Sequence, residues 1–107
     1  MALEVVHTAE AFNECLNVDD RLVLVDFEAT WCAPCKLMAP EIEKLAESME
    51  NELNVVKVDV DELKELALKH EVQGVPTMIA FRKGKEVDRI VGYKPADTIV
   101  SIVNSIK

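Results

Sequence analysis

Glycine, proline and cysteine are all scarce in this chain, with 3 Gly, 4 Pro and 3 Cys among 107 residues. So few breakers leave no room for a flexible linker or a low-complexity segment. Three cysteines, at positions 15, 32 and 35, make no even set, which excludes the disulfide scaffold of a small secreted domain. Basic residues are also short: 12 Lys and Arg against 20 Asp and Glu give a formal charge of −8. A nucleic-acid binder needs a basic footprint to displace counterions from phosphates, and an anionic membrane surface repels the same charge. Long apolar runs are missing too. The longest stretch without a charged residue, Val72–Phe81, contains Gln73, Gly74 and Pro76. A membrane-spanning helix needs about 20 apolar residues. Neither a nucleic-acid nor a membrane partner is therefore expected. The opening residues Met1 to His7 have no basic start and no apolar core. No signal peptide is expected, and the cytoplasm, where thiols stay reduced, is the expected location.

Half of the residues are apolar. That share is too high for a disordered chain, and the length suits one domain with one core, spanning 1–107. Charge is uneven along it. Residues 41–65 carry nine acids and three bases, and residues 82–107 carry three acids and six bases. Solvated helix and turn surfaces account for this pattern, although it can also orient partners.

Leu22-Val23-Leu24-Val25-Asp26-Phe27, within Arg21–Glu28, is a near-continuous apolar run rich in β-branched residues. Such a run predicts a strand covered on both faces, as in a parallel sheet. Leu53–Val60 reads the same way around Lys57. Thr77–Arg82 and Glu86–Val91 flank Lys83-Gly84-Lys85, a hairpin turn signal, and Leu3–Val6 adds an edge strand. Helices fit between the strands. Thr8 is placed to cap the first, which buries Phe12 and Leu16. Pro34–Met49 puts Met38, Ile42, Leu45 and Met49 on one stripe, with Pro40 expected to bend it. Asp61 is placed to cap a third helix. Ile99, Ile102, Val103 and Ile106 define a fourth, with Pro95 in its first turn. The order β-α-β-α-β-α-β-β-α predicts an α/β fold with a central mixed five-stranded sheet and two helices on each face.

Trp31-Cys32-Ala33-Pro34-Cys35-Lys36 follows a predicted buried strand and opens a helix. Two cysteines three apart at a helix start can close a small disulfide ring. The first meets unpaired backbone N–H groups and the positive end of the helix dipole, which favour a thiolate. The second is expected one turn inside, shielded from solvent. A structural zinc site competes with this reading. Zinc wants four ligands, and Cys15, His7 and His70 stand at unsuitable spacings.

Val25-Asp26-Phe27, Ala29, Trp31-Cys32-x-Pro34-Cys35-Lys36, Pro40, Lys57-Val58-Asp59, Val75-Pro76-Thr77 and Gly92 together resemble the thioredoxin family. The resemblance runs in order over essentially the whole chain. It implies the thioredoxin fold and a protein-disulfide oxidoreductase that works through a Cys32–Cys35 dithiol/disulfide couple. It also implies a monomer with no bound cofactor and no metal, disulfide-containing proteins as substrates, and re-reduction by a thioredoxin reductase that uses NADPH. A regulatory subunit with incidental catalysis and a zinc-binding chaperone are the alternatives from other classes.

The resemblance gives other positions a meaning. Asp26 lies in an apolar strand, where it is either a structural ion pair with Lys57, a solvent-facing residue, or a proton acceptor for Cys35 assisted by Lys57. Val75-Pro76 is either an ordinary turn or a cis proline beside the cysteines, whose preceding backbone pairs with a substrate chain. Trp31, Ala33, Pro34, Gly74 and Gly92 complete the expected docking rim, although Trp31 by itself suits a core. Three positions depart from the family pattern: Ala33 replaces a usual Gly, Glu28 a usual aromatic and Tyr93 a small residue. Glu28 is expected to raise the Cys32 pKa and alter partner choice. Cys15 reads as a packed small hydrophobe, with a regulatory thiol as the alternative.

Overall fold

In the computed structural model, which describes residues 3–18 and 20–107, the elements follow the predicted order. They are β1 (Leu3–Val6), α1 (Ala9–Leu16), β2 (Leu22–Glu28), α2 (Ala33–Ser48), β3 (Leu53–Asp59), α3 (Lys64–Lys69), β4 (Thr77–Arg82), β5 (Lys85–Val91) and α4 (Ala96–Ile106). The five strands form one sheet in the order β1-β3-β2-β4-β5. Strand β3 runs parallel to β1 and β2, whereas β4 runs antiparallel to β2 and β5. The apolar run of β2 is thus the central strand, with Val25 opposite Val56 on one side and Ile79 on the other.

Alternation along β2 splits the core into two layers. Leu22 and Leu24 join Leu53, Val55, Met78 and Ala80 beneath α2 and α4, which contribute Met38, Ile42, Leu45, Ile99 and Val103. Val23, Val25 and Phe27 join Val56, Val58, Ile79 and Phe81 beneath α1 and α3, which contribute Phe12, Leu16, Leu66 and Ala67. Two helices therefore cover each face, which is why the strand needs apolar residues on both sides.

Local chemistry explains where the boundaries fall. Thr8 caps α1, its Oγ1 accepting the Ala11 N–H at 3.0 Å. Arg21 stays outside β2 because its guanidinium is engaged with the turn before β3. It donates to Asn54 Oδ1 at 2.8 Å and to the carbonyls of Glu50 and Asn51. Lys83 and Gly84 both take positive φ, 53° and 78°, so the hairpin closes on these two residues and β5 begins at Lys85. Two expectations need correction. Asp61 does not cap α3; the residue before that helix is Leu63, which makes no side-chain cap. Asp59 takes up the free donors instead, its Oδ1 accepting the N–H groups of Asp61 at 2.8 Å and Glu62 at 3.3 Å. Pro95 precedes α4 as an extended cap residue rather than lying in its first turn, where its missing N–H costs nothing.

Helix α3 ends in paired backbone bonds, Val72 N–H to Ala67 O at 2.9 Å and Glu71 N–H to Leu68 O at 3.0 Å. Glu71 adopts φ 55° to make them, in the position where glycine is usual. Arg89 of β5 fastens this turn by donating to the carbonyls of His70 at 2.6 Å and Glu71 at 3.0 Å. The chain leaving the turn leads to Pro76.

Candidate active site

The parallel strands β2 and β3 end at the same edge of the sheet, and the predicted site residues gather there. Beyond β2, the chain turns through Ala29–Trp31 and enters α2 at Cys32, the N-cap residue. Cys32 and Cys35 are joined as a disulfide. Cys32 Sγ accepts the Cys35 backbone N–H at 3.1 Å. That bond occupies one of the helix's unpaired donors and stabilises negative charge on the sulfur when the pair is reduced.

Solvent exposure does not distinguish the two sulfurs as expected: Cys32 is 4 % exposed and Cys35 6 %. Both pack against Ala29, Val60 and Val75. The asymmetry between them is electrostatic, because only Cys32 sits at the cap and receives a backbone N–H. Pro34 lies in the first turn, exposed beside Ala33.

The Val75–Pro76 bond is cis, and Cys32 Sγ lies 3.7 Å from the Val75 carbonyl oxygen. This loop is held from both sides. Thr77 Oγ1 donates to Gly74 O at 2.6 Å, and Gly92 N–H donates to Pro76 O at 2.9 Å. Gly92 takes φ 91°, a conformation that favours glycine. Trp31 is not a core residue. Its ring is 68 % exposed, while Nε1–H donates to Asp61 Oδ2 at 2.7 Å. Sequence reasoning missed Asp61 here and assigned it to a helix cap. The available signal was its place just after β3, at the strand edge that also carries the cysteines.

Asp26 is 3 % exposed, and its Oδ1 has no hydrogen-bond partner. It stands opposite Lys57 in the register of β2 and β3, yet no ion pair joins the two among the described residues. Burial pushes its carboxyl up from an ordinary 3.8 to about 7; the Glu28 carboxylate adds to the rise and Lys57 opposes it. A cleft of about 320 Å³ opens over this region, lined by Glu28, Ala29, Thr30, Cys35, Lys36, Ala39 and Lys57. A cavity of about 760 Å³ between Phe12, His70 and Gly84 lies at the opposite end of β2. Cys15 is half-buried on α1, with Sγ 3.6 Å from Glu4 Oε2. Among the described residues, no three His, Cys, Asp or Glu side chains come together to hold a metal. Among the described residues, no helix is long and apolar enough to cross a membrane.

A mixed sheet between two helical layers, with a cysteine pair at the N-terminus of a helix, defines a dithiol/disulfide oxidoreductase. The thioredoxin family model matches residues 4–105. Thioredoxins of Staphylococcus saprophyticus and Staphylococcus aureus are each 42 % identical, the first over 81 % of this chain and 84 % of its own length, the second over 82 % and 85 %. Among solved structures, a thioredoxin from Nicotiana alata superposes with a TM-score of 0.88 at 34 % identity, covering 99 % of this chain and 93 % of that one. A mutant thioredoxin from Halobacterium salinarum gives 0.89 at 35 % identity, covering 97 % and 89 %. The chain belongs to the thioredoxin family, and its activity is protein disulfide reduction by thiol–disulfide exchange.

Proposed function

We propose that this chain, one domain over residues 1–107 acting as a cytoplasmic monomer, reduces disulfides of other proteins with Cys32 as the attacking and Cys35 as the resolving sulfur. The Cys32 thiolate bonds to one substrate sulfur while the other leaves as a thiolate and takes a proton from water. Cys35 then gives its proton to Asp26 through water, with Lys57 moderating the charge. Its thiolate attacks Cys32 Sγ, the Cys32–Cys35 bond forms, and the second substrate sulfur leaves with the electron pair. The observation that carries this order is the 3.1 Å bond from Cys35 N–H to Cys32 Sγ, which favours the thiolate at Cys32 alone.

An extended substrate segment docks on the rim formed by Trp31, Ala33, Pro34, Gly74, Val75, Pro76 and Gly92. Main-chain pairing beside Val75 gives affinity without demanding a sequence, which suits a reductase of many proteins. The protein holds no cofactor of its own, and a thioredoxin reductase drawing on NADPH restores the dithiol. In a disulfide-reduction assay, Cys32→Ser abolishes turnover, and Cys35→Ser accumulates covalent mixed disulfides visible on a non-reducing gel. Normal turnover by Cys35→Ser without trapped adducts overturns the two-cysteine mechanism.

A further inference from the structure

Glu28 has no part in the mechanism above, yet it faces the same chemistry. Residues two apart on a strand point to one face, about 7 Å apart along it, so Glu28 follows Asp26 on the side of β2 covered by α2. The Val60 N–H holds the Glu28 carbonyl at 2.9 Å, tying its backbone to the end of β3. Its side chain lines the cleft that Cys35 and Lys57 also line, while Asp26 below is buried with an unpartnered Oδ1.

We propose that Glu28 is a positioning residue of the disulfide exchange: its carboxylate, on the Asp26 face of β2 and in the cleft of Cys35 and Lys57, governs when Asp26 takes and releases the Cys35 proton. The inference rests on Asp26 being the proton acceptor. In the resolving step the Cys35 S–H bond breaks and an Asp26 O–H bond forms; afterwards Asp26 returns that proton to water in the cleft, and Glu28 ends unchanged. Negative charge on Glu28 disfavours a second carboxylate beside it, so Asp26 holds its proton to higher pH than Lys57 alone would permit.

Helix α2 brings Cys35 and Lys36 to the cleft that Glu28 lines, and the register sets Asp26 opposite Lys57 of β3 and Met78 of β4. Asp59, opposite Glu28 in register, is engaged by the N–H groups of Asp61 and Glu62. Helix α4 packs on this face through Ile99 and Val103.

Carbon-detected NMR titration of side-chain carboxyls in the oxidised protein tests the proposal. In Glu28→Gln the Asp26 midpoint falls by about one pH unit, and Glu28→Asp keeps most of the wild-type value. The pH profile of turnover in Glu28→Gln moves down by the same amount. An Asp26 midpoint within about 0.3 pH units of wild type in Glu28→Gln, or a turnover profile that does not move in that variant, overturns the proposal. Asp26→Asn separates the two claims: an unchanged turnover profile there sinks the proton-acceptor role itself, whatever the titrations show.

Discussion

Replacing Asp26 by asparagine separates the cost of a buried carboxylate from its use. The carboxyl is buried, its Oδ1 is unpartnered and, among the described residues, no ion pair compensates it, so the charged form is strongly disfavoured in the folded state. Between its ordinary 3.8 and the folded value of about 7, the native protein holds a proton that the unfolded chain has released. Stability therefore falls as pH rises through that window, and the loss persists above it. At about 1.4 kcal/mol per pH unit, the full cost is on the order of 4 kcal/mol above pH 7. An asparagine keeps one acceptor and one donor group, as the protonated carboxyl does, and carries no charge at any pH. Asp26→Asn is thus expected to stabilise the oxidised protein by about 2–4 kcal/mol at pH 8 and by nearly nothing at pH 3. Urea melts at pH 3, 5.5 and 8 read this directly, with the gain growing between the first and the last. The same variant slows turnover near neutral pH, because Cys35 loses its proton acceptor. Destabilisation at pH 8, or an equal gain at all three pH values, refutes the reasoning and makes Asp26 a structural partner of Lys57.

Two further outcomes concern residues away from the cysteine pair. Glu71→Gly relieves a side chain held at φ 55° in the turn after α3, and is expected to raise stability by about 0.5–1 kcal/mol, seen as a higher melting temperature; a lower one means that Glu71 makes a stabilising contact of its own. Burial and the Glu4 carboxylate push the Cys15 thiol up to about 11, so it stays protonated at neutral pH and is a poor nucleophile. Cys15→Ser is expected to retain wild-type turnover, and iodoacetamide at pH 7 is expected to label reduced Cys32 before Cys15; loss of turnover promotes Cys15 to a functional thiol.

Features that repeat over a few residues were legible in the chain alone. The near-continuous apolar run of β2 announced a strand covered on both faces, and the i, i+3, i+4 spacing of Ile99, Ile102 and Val103 announced α4. The spacing of Cys32 and Cys35 at a helix start placed the disulfide and its N–H donor, because capping is settled within one turn. Residues far apart in the chain were legible only through resemblance, and their arrangement came from the folded molecule. Asp26 meets Lys57 through the parallel register of β2 and β3, and Val75 reaches Cys32 because Gly92 and Thr77 pin its loop. Asp61 shows the limit most plainly: locally it resembles a helix cap, but Asp59 captures the nearby N–H groups and leaves its carboxylate for Trp31. The equal burial of the two cysteines was likewise invisible to periodicity, since Ala29, Val60 and Val75 converge on them from three separate segments. A hydrophobic pattern tells each element which face to bury, whereas which charged and polar groups then share a cleft depends on strand register and helix docking, which only the assembled chain decides.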